Sequence, residues 1–171
     1  WDMKGVVSAS GSYRVDERRF EATLELGPAG MEYGTHFRKD PATAARLTVE
    51  GAPSPPWSWA VILGTEEVSG RIEDGRVLAE DVQIDLAALA PFLPDLSEME
   101  GRMEGRFGFP EPEASFMFYD ASARVTPEVV IEGRPAEIAY AGGDWRLRDV
   151  QVLCAGTRFV VQARSRGNDW T

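Results

Sequence analysis

Twenty-eight acidic residues and a single histidine set the chemical repertoire of this 171-residue chain. Paired carboxylates are the raw material of glycoside hydrolysis, where one acid protonates the leaving group and a second acts across a cleft. Glu66/Glu67, Glu98/Glu100, Glu111/Glu113 and Asp144/Asp149 supply such pairs. In so acidic a chain, close pairs arise by chance, and most belong to solvated strand faces. His36 lies on the polar parity of its segment beside Glu32 and Arg38, as a surface histidine does, and no metal-ligand spacing surrounds it. Cys154 is the only cysteine, so no internal disulfide or cysteine-rich metal site is available. It follows the apolar parity of Val150 and Val152 and reads as a buried, inert thiol. The stretch "GRMEGRFGFP" is glycine-rich but lacks the Gly-x-Gly-x-x-Gly order of a phosphate-binding turn. "GTEEVSG" lacks the Gly-x-Ser-x-Gly elbow of hydrolases. No catalytic, cofactor or metal constellation stands above background, and the chain reads as a non-enzyme without a cofactor.

Composition narrows the partners. A net charge of −10 argues against nucleic acid, whose binders need a basic face, and against electrostatic docking to anionic membranes. Apolar residues make up 43% of the chain and charged ones 27%, ordinary values for a folded domain with a sizeable core. A lone cysteine suits the cytosol and equally a bacterial envelope protein built without bridges. The chain opens at Trp1 and closes at "GNDWT" just after a strand pattern. The expectation is one β-domain, residues 1–171, cut from a longer protein.

The dominant period is two, the period of a half-buried strand. Gly5, Val7, Ala9, Gly11, Tyr13 and Val15 share one parity, and Phe20, Ala22, Leu24 and Leu26 follow after a turn at Asp16–Arg18. Met31, Tyr33, Thr35 and Phe37 read as a further strand, then Ala45, Leu47 and Val49. "APSPP", Ala52 to Pro56, cannot be an interior strand. Trp57, Trp59, Val61 and Leu63 resume the alternation, and Val68 to Asp85 reads as a hairpin around Asp74-Gly75. A strand over Ala114–Val125, one interrupted strand over Val129–Ile131 and Ala136–Ala141, and strands over Trp145–Cys154 and Thr157–Ala163 complete about a dozen, joined mostly by short turns. In the stretch 114 to 119 both parities are apolar, so its facing is undecided.

One helical interruption is expected at Leu86–Leu93, with Asp85 as N-cap and Pro91 and Pro94 limiting its length. Leu86, Leu89, Ala90 and Leu93 share a helical face, so the helix reads as a plug over one end of a sheet. "GRVLAEDVQIDL" from Gly75 echoes "GDWRLRDVQVLC" from Gly143, their Asp-Val-Gln triplets lying 149 − 81 = 68 residues apart. In both, the apolar parity slips, as a β-bulge would make it.

From Met99 the parity is strict: Met99, Gly101, Met103, Gly105, Phe107 and Phe109 against Glu100, Arg102, Glu104 and Arg106. Two readings compete. The glycines make room for bulky partners such as Trp145 or Phe116 in a closed sandwich core. Alternatively, they let one long sheet curl into an open trough with an apolar wall.

The run "VSGRIEDGRVLAEDVQIDLAALAPFLPDLSEMEGRMEGRFGF" and the later "GDWRLRDVQVLCAGTRFVVQA" resemble the repeating sequence style of the AsmA-like envelope proteins. The likeness is greatest to the carboxy-terminal half of the translocation and assembly module subunit TamB, and it spans about Val68 to Ala163. The resemblance implies an all-β, elongated antiparallel sheet curled into a U-shaped, taco-like open groove. It implies a periplasmic parent anchored in the bacterial inner membrane. Such proteins are implicated in carrying phospholipid or other acyl-chain ligands and in outer-membrane protein biogenesis with a partner barrel. No catalytic residue carries over. The expected groove lining is Met103, Phe107 and Phe109, then Trp57, Trp59, Val61 and Leu63, with Trp145, Leu147, Phe159 and Val161. The alternatives are a closed β-sandwich binding or adhesion module acting through Ala52–Pro56 and Pro110–Glu113, and a carboxylate-based glycan enzyme.

Overall fold

The computed structural model describes residues 2–167 and 169–170. Trp1, Asn168 and Thr171, at the ends that prompted the expectation of a longer parent, lie outside the described residues. The strands are β1 (Asp2–Lys4), β2 (Ser8–Arg14), β3 (Arg19–Glu25), β4 (Gly30–Tyr33), β5 (Phe37–Lys39), β6 (Ala45–Gly51), β7 (Trp57–Leu63), β8 (Glu66–Glu73) and β9 (Arg76–Asp85). Helix α1 (Leu86–Leu89) runs into a 3-10 turn at Ala90–Phe92. Then come β10 (Ser97–Phe109), β11 (Glu113–Thr126), β12 (Val129–Ala141), β13 (Asp144–Cys154), β14 (Thr157–Arg166) and β15 (Asp169–Trp170).

Among the described residues the strands form a large sheet in the order β15-β14-β13-β12-β11-β10-β9-β8-β7-β6-β3-β2 and a small one, β1-β4-β5. All pairings are antiparallel. The two end strands of the large sheet do not pair with each other, so the sheet is open. From β6 onward each strand pairs with the next in sequence, mostly through short turns and between β9 and β10 through the helical segment, while β6 pairs on its other side with β3. The Asp74-Gly75 turn carries φ values of 50° and 73°, the left-handed pair a tight hairpin requires.

Two of the expected parity slips are β-bulges. Phe107 pairs with Ala79 while Gly105 pairs with Val82, so β9 spends one extra residue there. Leu147 pairs with Ala163 and Val150 with Val161, with Asp149 at φ 56° in the slip. Each bulge returns the next apolar residue to the same face. A third slip, at Asp120 in β11, settles the stretch 114 to 119. Ala114, Phe116 and Phe118 pair with Phe107, Gly105 and Met103 on the apolar face. Met117 and Tyr119 turn the other way, where the Arg102 guanidinium lies 5.6 Å from the Tyr119 ring centre.

The molecule exposes 11003 Å². A compact monomer of its 18.8 kDa mass would expose roughly 8,300 Å². Among the described residues, the buried apolar side chains larger than alanine are Trp59, Val82, Leu86, Phe92 and Met99. A closed two-layer core of this length would hide many more. The sheet nevertheless curls. On a flat sheet, β7 and β10 stand about 14 Å apart, three strand spacings. The Trp59 and Phe107 ring centres are 5.9 Å apart, meeting over the small residues Gly70 and Ala79. Val49, Val61, Val68, Ile72, Met103 and Phe116 pack around that contact.

The plug forms as the sequence suggests. Asp85 Oδ1 accepts the Ala87 N–H at 2.9 Å as N-cap. Leu86 is buried with Met99 and Ala121, and Leu89, Leu93, Met103 and Phe118 close around them. The small sheet adds a second cover at this end. Phe37 stacks on Phe92 at 6.1 Å, and His36 Nδ1 donates to Asp95 Oδ2. The expected single strand through Met31 and Phe37 is instead a hairpin turning at residues 34–36, because Gly34 takes the left-handed conformation, φ 56°. His36 is therefore a turn residue, exposed yet bonded. Lys39 is buried, its Nζ donating to the carbonyls of Ala29 at 2.7 Å, Gly27 at 2.9 Å and Asp40 at 3.2 Å.

Candidate functional site

Strand register decides which side chains share a face. Tyr13, Gly11 and Ala9 of β2 pair with Phe20, Ala22 and Leu24 of β3. Those face Gly51, Val49 and Leu47 of β6, which face Trp57, Trp59 and Val61 of β7. The row passes through Ile72, Gly70 and Val68, then Val77 and Ala79, to Phe109 and Phe107. Across β11 and β12 it continues through Ala114 and Phe116 to Tyr140 and Ile138. It ends with Trp145, Leu147, Val150 and Val152 on β13 and Ala163, Val161 and Phe159 on β14. One apolar face thus crosses eleven strands without a break in sign.

All eleven residues expected to line a groove lie on this face: Trp57, Trp59, Val61, Leu63, Met103, Phe107, Phe109, Trp145, Leu147, Phe159 and Val161. They do not form one cluster. Trp59, Val61, Met103 and Phe107 meet in the curled centre. Trp57 joins Phe20 edge-to-face at 5.5 Å on one flank. Trp145 packs on Tyr140 at 4.8 Å on the other flank, in the same strand pair as Leu147. Trp145 is 44% exposed, Phe159 52% and Phe109 61%. The centre of the face is filled with protein side chains, and the β12–β14 flank is uncovered.

Register also adds members that composition alone did not select: Phe20, Val49, Ile72, Val82, Phe116, Ile138 and Tyr140. Alternation marked each as apolar, but only the pairing partner shows that their faces coincide. Gly105 is not bare wall. A methyl group there would meet Ser115 O at 2.2 Å and Phe116 Cδ1 at 2.5 Å, so the Phe116 ring roofs the glycine. Phe116 is the bulky partner; Trp145 packs on Tyr140 instead. Gly70 is roofed by Trp59 in the same way.

The opposite face is charged and largely self-paired. Arg71 reaches Glu80 at 2.9 Å and Glu73 at 3.2 Å, Arg148 reaches Glu137 at 3.4 Å, and Arg134 and Arg158 each reach Glu132 at 3.2 Å. The exposed pairs of Arg71 add little stability but keep this face in water, whereas Glu132 is buried beneath its two guanidiniums. Members of the carboxylate pairs noted in the sequence have separate partners of their own. Glu66 accepts the Asp85 N–H, Asp144 accepts the Gly167 N–H, and Asp149 accepts from Gln162. Cys154 is half-buried on the apolar face beside Val129, more open than the sequence suggested.

No described helix is long and apolar enough to cross a membrane. No protein-family model, curated protein or solved structure matches this chain.

Proposed function

We propose that this chain is a non-enzymatic segment of a periplasm-spanning, bridge-like protein whose apolar groove carries phospholipid acyl chains or assists outer-membrane protein biogenesis. The observation that carries this reading is the uninterrupted apolar face of an unclosed sheet, still exposed at Tyr13, Trp145 and Phe159. A sheet with one apolar side must bury it against something. The curled centre meets that need with Trp59 and Phe107, and the flank over β12–β14 leaves it to a guest. Acyl chains suit the flank because they are apolar, flexible and indifferent to hydrogen bonding. The sequence resemblance to the AsmA-like proteins points the same way and supplies the periplasmic setting and the partner barrel.

Lipid extraction and mass spectrometry on the purified, detergent-free protein test the reading. The wild type should carry phospholipid. Phe159→Asp lies on the open flank, so it should fold normally and lose that lipid. A lipid-free wild type, or a folded Phe159→Asp that keeps its lipid, would sink the proposal. In the first case the search would turn to a protein partner at Ala52–Pro56 and Pro110–Glu113.

A further inference from the structure

We propose that the outer edge of β14 pairs with the same edge of a second copy of this chain, joining two open sheets through a two-fold axis at Val160. Along Thr157–Ala163, β14 is paired with β13 on one side and with no strand on the other among the described residues. β15 reaches only Ser165 and Arg166. Natural sheets blunt such an edge with lysine, proline or a bulge on the edge strand. The stretch "TRFVVQA" has none of these, and the extra residue of the nearby bulge belongs to β13. The other end of the sheet is different: β2 is Ser8-Ala9-Ser10-Gly11-Ser12-Tyr13-Arg14, poor in residues that favour strands.

Backbone direction shows which groups this edge offers. The Ala155-Gly156 turn has φ values of 46° and 80°, those of a two-residue hairpin whose flanking residues, Cys154 and Thr157, exchange hydrogen bonds. Alternation then aims the N–H and C=O groups of Thr157, Phe159, Val161 and Ala163 at β13, and those of Arg158, Val160 and Gln162 outward. The side chains around them are apolar on both sides of the sheet. Phe159 is 52% exposed on the apolar face. Val160 is 62% exposed on the other face, where it ends the polar row Ser122, Glu132, Gln151.

An antiparallel partner with matching faces fits this edge, and the strand supplies one itself. A two-fold axis through Val160, normal to the sheet, sets Val160 opposite Val160, Phe159 opposite Val161, Arg158 opposite Gln162 and Thr157 opposite Ala163. Apolar meets apolar on both sides, and the favourable aromatic–β-branched pair occurs twice by symmetry. The outward groups of Arg158, Val160 and Gln162 then face those of Gln162, Val160 and Arg158 in the second copy. Moving the axis to Val161 would place Arg158 opposite Arg164, like charge against like. Moving it to Phe159 would carry Gln162 past the end of the facing strand, into its turn. Pairing of like edges closes as a dimer. The contact uses the strand's edge, so it stands apart from the lipid reading.

Sedimentation velocity from about 5 to 500 µM, in roughly 150 mM salt, tests the pairing. One strand pair is a small interface, so the 18.8 kDa chain should be monomeric when dilute and approach twice that mass when concentrated. Val160→Lys sets two ammonium groups against each other on the axis and should weaken association by about tenfold or more. Val160 is exposed in the single chain, so this variant should fold normally. Amide exchange read by NMR tests the register. Arg158, Val160 and Gln162 should gain protection as concentration rises, while Ser8–Arg14 on β2 should not. A wild type that stays monomeric throughout would overturn the proposal. So would a dimer that survives Val160→Lys undiminished, or one that leaves the Arg158, Val160 and Gln162 amides unprotected, since the copies would then meet elsewhere.

Discussion

Gly105 has no room for a methyl group. Its neighbours at 2.2 and 2.5 Å are a backbone oxygen and an aromatic ring, and the oxygen cannot rotate away. Gly105→Ala should therefore lose about 1–3 kcal/mol, read as a lower urea midpoint, the cost typical of overpacking. Lys39 makes a different residue-scale prediction. Burial holds its ammonium below the usual lysine range, and the Asp40 carboxylate only partly offsets that. The unfolded chain then holds this proton more tightly than the folded one, so the group disfavours folding at neutral pH. That penalty is relieved as pH rises from the depressed folded value toward 10.5. Lys39→Met should erase this alkaline gain in a series of melts. It should also lower stability at neutral pH, because three carbonyls lose their donor. The sequence displayed Gly105 as an anomaly but could not say what covers it, since Phe116 reaches it from the next strand. Lys39 gave no signal at all: a lysine between Arg38 and Asp40 reads as surface.

At the scale of elements, periodicity was a good guide wherever both sides of a strand differ in polarity. The hairpin at Asp74-Gly75, the capped helix after Asp85 and the two bulges were legible for that reason. The β4–β5 hairpin was not, because Met31, Tyr33 and Phe37 keep one parity straight through the turn. Nor could the sequence show that this hairpin folds back onto the plug through Phe37 and Phe92. Phe92→Ala should cost about 3–5 kcal/mol, the usual range for a buried phenylalanine. The same change should raise amide exchange in Phe37–Lys39 while leaving β12 protected. Uniform loss of protection would mean that plug and sheet unfold as one.

At the scale of the molecule, the exposed area has a measurable consequence. A fold that hides less surface releases less on unfolding, so the dependence of stability on urea should be shallower. Relative to a compact protein of this mass, the m-value should be lower by roughly one-seventh. An m-value at or above the compact norm would mean that the trough closes in solution. The all-β class and the apolar side of each strand were legible because they depend on alternation alone; that these sides share one face needed the register. The degree of curl was not, because it depends on which large side chains, such as Trp59, bend over which small ones, such as Gly70.

The strand order itself has a further consequence. From β6 to β15 each strand leans on the one before it, so contacts are close in sequence despite the β architecture. Folding can then proceed as a zipper, each new hairpin enlarging a sheet already formed, with little loop entropy to overcome at any step. Neighbour terms then make up much of the stability, beside the Trp59–Phe107 contact that ties β7 to β10. Pulled or digested from the β14 side, the molecule should shed strands one at a time and keep the Trp59–Phe107 centre until late.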